Sequence, residues 1–278
     1  MRMRGKVGRK WKAAGKQVLI ISLTLIMFFP LYVVFIMGTY YSEDIFKGLP
    51  LLPGKYLLQN LKTVFEQDYV KAYANSILVS VVSVALSVFI SATAGFALAK
   101  YNFKGKKLIF GFVMAVMMIP SQISIIGYMV EMRSMHLTNT LLPLMIPWAA
   151  YPLGVFLMTQ FIGDSVPDEL LESARLDGCS EPRLFVNIVV PTVRAGILTL
   201  GTLVFLWSWN AYLIPLLMVN KQELFTIPLM IAKLSTNYRS DYGAIMCALS
   251  LAVLPMIVLF SFCSKTFIKG IVAGAVKG

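Results

Sequence analysis

At 278 residues, with 58% hydrophobic and 14% charged side chains and a mean hydropathy of +0.76, the chain is too apolar for a water-soluble globule, which runs about 45–50% apolar and about 25% charged. The same apolarity excludes a disordered chain, and three cysteines exclude a disulfide scaffold, so Cys179, Cys247 and Cys263 read as small hydrophobes. A net charge of +12 on such a chain marks loops facing an anionic leaflet, not nucleic acid.

Six charge-free stretches reach the length of about 20 residues that a bilayer core requires of a helix. They are 17–38, 72–98, 108–130, 140–163, 195–220 and 242–264, and all the Asp, Glu, Lys and Arg residues fall outside them. Residues 1–16 form a basic arm, 17–71 a first transmembrane helix with an external segment, and 72–278 a core of five further transmembrane helices with a tail at 265–278. The arm (Arg2 to Lys16), the "AKYNFKGKK" connection, Arg175, Arg183, Arg194 and the tail together hold seventeen of the 25 basic residues, so this side and both termini face the cytoplasm. The first stretch is too long for a signal peptide, contains Pro30 and lacks a small-residue cleavage site, and reads as an uncleaved anchor.

The second stretch carries Ser83, Ser87, Ser91 and Gly95 at a repeat of four, a ridge of small side chains on one helical face that packs closely against another helix. Every other stretch contains proline: Pro30, Pro120, Pro143, Pro147, Pro152, Pro215 or Pro255. Each frees a backbone carbonyl that neighbouring protein must cover, which predicts bent or broken helices around a cavity. Polar side chains at depth are few: Gln122, Gln160 and Asn210. With no carboxylate, lysine or arginine in any span, secondary transport lacks its usual coupling group. His136 stands alone in a short outer loop, and no phosphate-binding loop, HExxH or GxSxG occurs, so energy must come from a partner, or transport is passive.

One inner connection, 164–194, breaks the charge rule with six acids and three bases. Its first half predicts a helix, with Ser165 as cap, Pro167 early, Asp168 and Glu169 at the positive dipole end and Gly178 as a left-handed stop. The second half opens at Ser180, Glu181 and Pro182, places Leu184, Phe185 and Ile188 at helical spacing and ends before Pro191. Such a helix-turn-helix is suited to docking into a groove of another protein, or to lying along the membrane surface.

This connection resembles the coupling loop of ABC-importer permeases, E-A-A, three residues, G, nine residues, I-x-L-P. Here Glu172, Ser173 and Ala174 are followed by three residues including Asp177, then Gly178, nine more, and Ile188 to Pro191, with Ser173 replacing an alanine and Val190 a leucine. "NSILVSVVSVALSVFISATAGFALAKYNFKGKK", "WNAYLIP" and "KGIVAGAVKG" are similar to stretches of the carbohydrate permeases of the MalG-like kind. The resemblance implies an all-α integral membrane fold of the type I ABC-importer kind, with six transmembrane helices and a cytosolic coupling loop, in a bacterial or archaeal inner membrane.

It further implies a transport subunit, not an enzyme, paired with a second homologous permease, two ATPase subunits and an extracytoplasmic binding protein that delivers a sugar. ATP and magnesium would sit on the ATPases, with no cofactor or metal on this chain. Glu172, Ser173, Ala174, Asp177, Gly178, Ile188 and Pro191 would form the coupling element, Gly178 reversing the chain where a side chain would clash. Gln122, Trp209, Asn210 and Tyr212 are the residues expected on the translocation path, since aromatic faces and amides suit sugar rings. Trp209 and Tyr212 packing between helices is the competing reading. Alternative functions are an ABC permease for another polar solute, such as a glycerol phosphodiester, and a facilitator without ATPases.

Overall fold

The computed structural model describes residues 2–235 and 241–275, with side chains described at 15–120, 122–235 and 241–262. The side chains of the basic arm up to residue 14, those of the glycine-rich tail and Cys263 lie outside the described residues. All elements described are helical: α1 (Arg2–Met37), α2 (Leu57–Phe65), α3 (Tyr69–Lys100), α4 (Lys106–Met117), α5 (Ser121–Ser134), α6 (Leu142–Ala149) and α7 (Pro152–Ser165). Then follow α8 (Asp168–Leu176), α9 (Glu181–Leu184), α10 (Val190–Thr192), α11 (Arg194–Trp209), α12 (Leu213–Met218), α13 (Ile227–Lys233) and α14 (Tyr242–Ala275).

Among the described residues four segments are long and apolar enough to cross a membrane, Gly15–Met37, Tyr69–Lys100, Leu142–Ser165 and Tyr242–Phe262. They coincide with the first, second, fourth and sixth predicted spans. The third is not one straight helix. Pro120 cannot donate an N–H to the turn before it, α4 stops at Met117, and the chain bends by 104° into α5. In the fourth, Tyr151 is held extended (φ −87°, ψ 102°) by the proline that follows it, so α6 ends and Pro152 opens α7, where a missing N–H costs nothing.

The fifth predicted span, 195–220, is corrected more substantially. Its helix α11 ends at Trp209 after 16 residues, and a new short helix begins at Leu213. Continuing α11 would require an N–H from Pro215 and would drive its ring into the carbonyl one turn back, whereas in the first turn of α12 that N–H has no partner to lose. The bend of 79° between Glu181–Thr192 and Arg194–Trp209 makes the preceding hairpin, not 210–220, the other half of this bent pair.

The residues group into two compact units, Met1–Gln67 with Ile231–Val253, and Asp68–Met230 with Leu254–Gly278. In the first, Asn60 of α2 is buried and donates through Nδ2 to the carbonyls of Gly38 and Tyr40, both at 2.9 Å, tying off the end of α1. Asp241 accepts from the Ala244 N–H at 3.1 Å and from the Ser42 hydroxyl at 2.7 Å, which caps α14 and joins it to the loop after α1.

In the second unit α3 is central and packs against α6, α7 and α11. The serine ridge is the seam of that packing: Ser80, Ser83, Ser87, Ser91 and Gly95 are all buried. A Cβ on Gly95 would stand 2.8 Å from the Thr159 backbone nitrogen, and one on Gly154 would stand 2.4 Å from Ser91 Oγ. The two backbones therefore approach as closely as hydrogen side chains allow. At the other end of α3, Asn75 Nδ2 donates to the carbonyls of Glu223 and Phe225 at 2.9 and 3.0 Å, and Ser76 Oγ accepts the Ile227 N–H at 2.8 Å. Two polar residues on the first turns of α3 thus hold the irregular segment after α12 in place.

Candidate functional site

The connection 164–194 folds as the predicted hairpin, with local differences. Ser165 does not cap it, being the last residue of α7; Pro167, extended at ψ 141°, precedes α8 instead. Asp168 and Glu169 occupy the first turn, where the helix dipole favours negative charge. At the far end the Cys179 N–H bonds the Ala174 carbonyl and the Gly178 N–H that of Arg175, both at 3.0 Å, with Gly178 at φ +77°. These paired bonds form a Schellman stop, completed by apolar packing of Ala174 and Cys179 against the same core. Gly178 is required for its left-handed backbone and not for space: nothing lies within 4 Å of where a Cβ would stand.

The return limb does not end before Pro191. It runs from α9 through a π-helical turn at Phe185–Val189 into α10, which contains Pro191. In the wide turn the Val190 N–H reaches back to the Phe185 carbonyl, and this looser winding accommodates a ring that would collide with a regular helix.

The inner face of the hairpin is anchored in the second unit. Leu171, Leu184 and Val189 are fully buried with Met158 and Ile162 of α7, while Phe185 and Ile188 are half-buried against the same cluster. The outer face presents Glu169, Glu172, Ser173, Asp177 and Gly178 to solvent, Ala174 is half-buried and Pro191 exposed. The Ser173 hydroxyl donates to the Glu169 carbonyl at 2.8 Å, so it is occupied within its own helix. At the tip of α8, Leu176 is 89% exposed. Its spacing from Glu169 and Glu172 puts all three on one helical face, an apolar knob beside carboxylates.

Sequence reasoning missed how this hairpin is tied to α3. Lys100, the last residue of α3, pairs with Asp168 at 2.8 Å although its own side chain is only 7% exposed. Arg175 donates from Nε to Glu181 Oε1 at 2.7 Å and from Nη2 to Oε2 at 3.4 Å. The Tyr101 hydroxyl donates to Glu181 Oε2, and the Arg175 guanidinium lies 5.6 Å over the Tyr101 ring. Tyr101 in turn packs edge-on against Phe96. The hydrogen bonds from Arg175 and then Tyr101 hold the Glu181 carboxyl below its ordinary value of 4.5, and burial followed by the Glu181 bond pushes the Tyr101 phenol up. The surplus of acids in the 164–194 connection was the visible signal that basic partners had to be found elsewhere.

The sign of the Glu181 shift fixes its pH dependence. A carboxyl depressed in the folded state contributes stability above its unfolded value, lost only as pH falls through the depressed one. The difference in thermal stability between the chain and its Glu181→Gln variant is therefore expected to stay constant from about pH 8 to about pH 6 and to shrink below about pH 4.5. A difference that already declines through neutrality would exclude this role for the carboxylate.

The four residues expected on a translocation path fall in two places. Trp209 is 2% exposed, stacked on Phe205 at 5.7 Å and edge-on to Tyr73 at 5.5 Å. Asn210 is exposed and donates to the Leu206 carbonyl at 2.7 Å, satisfying the end of α11. Tyr212 is half-open at the start of α12, and Gln122 is exposed on α5. The break between α11 and α12 therefore brings Asn210 and Tyr212 to a surface and holds Trp209 behind them. Along α3 and α11 lies a cavity of about 490 Å³ bordered by Val84, Val88, Phe185, Gly201 and Phe205, too apolar for a sugar. Among the described residues no group of three His, Cys, Asp or Glu side chains is placed to hold a metal.

Residues 88–272 match the family described as the binding-protein-dependent transport system inner membrane component. The chain is 32% identical over 241 residues to the arabinooligosaccharides transport system permease protein AraQ of Halalkalibacterium halodurans, covering 85% of this chain and 86% of the relative. It is 33% identical over 282 residues to the diacetylchitobiose uptake system permease protein DasC of Streptomyces coelicolor, covering 99% of each. The fold superposes on a chain of a bacterial ABC transporter involved in the import of the acidic polysaccharide alginate, with a TM-score of 0.78 at 20% identity, covering 94% of this chain and 98% of the other.

Proposed function

Because the chain belongs to the binding-protein-dependent transport system inner membrane component family, we propose that it is the permease subunit of an ATP-driven importer for a sugar or oligosaccharide. It pairs with a second, homologous permease, receives solute from an extracytoplasmic binding protein and stands on two ATPase subunits, which carry the ATP and magnesium. It lies in a bacterial or archaeal inner membrane with both termini in the cytoplasm, on the side where seventeen basic residues accumulate. The carbohydrate class is supported by relatives named for arabinooligosaccharides and diacetylchitobiose.

The observation that carries the reading is the hairpin at 164–194. Its stop at Gly178 is rigid, its inner face is locked into the core, and its outer face offers Leu176 with Glu172 and Asp177 to a partner. A closing motion of the ATPases displaces such a hairpin as a body, and the helices joined to it rock with it. Asn210 and Tyr212, exposed at the break after α11, face the solute, with Trp209 bracing them from behind. Gln122 on α5 is the further polar group assigned to the path.

Gentle purification from native membranes followed by mass spectrometry tests this. An ATPase, a second permease and a binding protein are expected to accompany the chain; a chain that stays alone across several mild detergents overturns the reading. Leu176→Asp gives the sharper version. An exposed apolar knob contributes little to the fold, so stability is expected to hold, while loss of a central interface anchor costs about 2 kcal/mol or more. ATPase recovery should fall at least about tenfold. Undiminished recovery would show that the tip of α8 is not the docking point.

A further inference from the structure

We infer that Lys100, Tyr101, Asp168, Arg175 and Glu181 form a two-point latch that makes α8 move with α3, and that these are positioning residues for coupling. The inference rests on the importer reading above. The covalent neighbours of the hairpin are α7 and α11; α3 is remote in sequence and meets the hairpin through this cluster and the buried core.

The geometry is what distinguishes the latch from ordinary surface pairing. The carboxylates of both pairs, Asp168 and Glu181, are open to solvent, which screens the stability that the cluster can add. Its value is directional. Asp168 is the first residue of α8 and is held by Lys100; Arg175 is in the last turn of α8 and is held by Glu181 and Tyr101. One tie would leave a helix free to pivot, whereas ties at both ends of a nine-residue helix fix its axis against the end of α3. The guanidinium makes two hydrogen bonds and lies over the Tyr101 ring, so that contact is restricted in angle as well as distance. Lys106 Nζ adds a bond of 3.1 Å to the Tyr101 carbonyl, fixing the residue on which the second tie depends. From its end at Lys100, α3 runs 32 residues and packs on α6, α7 and α11. A push on Leu176 is therefore delivered to the central helix of its unit, not only to the two helices that flank the hairpin in sequence.

The test measures the distance between spin labels at Leu78→Cys on the exposed side of α3 and Leu170→Cys, an exposed position of α8 other than the docking knob Leu176. The full chain is used in phospholipid vesicles, alone and with its co-purified subunits, with Cys179, Cys247 and Cys263 replaced by alanine. The parent is expected to give one narrow distance that MgATP with vanadate does not change, because both labels ride on one body. Tyr101→Phe with Glu181→Gln, and separately Lys100→Met, should each broaden the distribution by about twofold or more. Arg183→Gln, an exposed arginine of the same hairpin outside the latch, should leave it narrow. A distribution that stays narrow without the latch, or one that broadens equally in the Arg183 variant, overturns the inference. If no ATPase accompanies the parent chain, the importer reading fails, while the widths measured on the chain alone still decide the latch.

Discussion

Gly178→Pro is expected to abolish ATP-dependent uptake in a chain that still inserts into the membrane. Three independent features of the turn oppose the substitution. Gly178 has φ +77°, and the proline ring fixes φ near −65°. Its N–H, bonded to the Arg175 carbonyl at 3.0 Å, would be lost. Asp177 before it sits near the helical region at φ −74° and ψ 5°, which a following proline disfavours. Alanine provides the graded control: no atom obstructs its Cβ, so it bears only the left-handed backbone cost of about 1–2 kcal/mol. Uptake should therefore be reduced in Gly178→Ala, by up to about tenfold, and absent in Gly178→Pro. The measurement is ATP-dependent solute uptake in vesicles, normalised to protein that resists alkaline extraction. Normal uptake by inserted Gly178→Pro protein would remove the hairpin from the coupling path, because the Schellman stop cannot form around proline.

What was legible beforehand follows a physical division. Charge-free windows located the membrane segments because lipid excludes unpaired charge at any orientation, and a window needs no knowledge of neighbours. Gly178 was legible because a helix stop is a local conformation with a local residue requirement. The serine ridge was legible because a four-residue repeat already specifies one face. Composition could not show that α11 ends at Trp209, since Asn210 to Tyr212 is as uncharged as the helix around it; only the backbone demand of Pro215 marks the break. Nor could it show that the limb continues through Pro191, which depends on a π-turn set by packing of Leu184 and Val189. Trp209 was ambiguous for the same reason: an aromatic beside an amide suits a sugar or a seam equally, and its contact with Tyr73 of α3 joins residues far apart in the chain. The latch joins residues 68 and 80 positions apart, beyond any local pattern.

The seam between α3 and α7 yields a pair of opposite expectations that separate close packing from a pore lining. Gly95→Val is expected to prevent accumulation of folded chain or lower its melting temperature by several degrees. A Cβ there would lie 2.8 Å from the Thr159 nitrogen and 2.9 Å from the Met158 carbonyl carbon, both backbone atoms that no side-chain rotation can move. Overpacking of this kind costs about 1–3 kcal/mol, and a branched side chain adds further atoms to the collision. Ser87→Ala should do the reverse. The Ser80, Ser83, Ser87 and Ser91 hydroxyls are buried without a hydrogen-bond partner, and a desolvated hydroxyl costs about 1–3 kcal/mol in protein mutational data. Removing one relieves that cost and leaves the close approach intact, since alanine is no larger than serine, so melting temperature should hold or rise with uptake unchanged. If the serines instead lined a path for a polar solute, Ser87→Ala would reduce uptake at unaltered stability. The joint outcome decides between the two: a seam tolerates the loss of its oxygen atoms and fails on one added isopropyl group, whereas a lining fails on the oxygen.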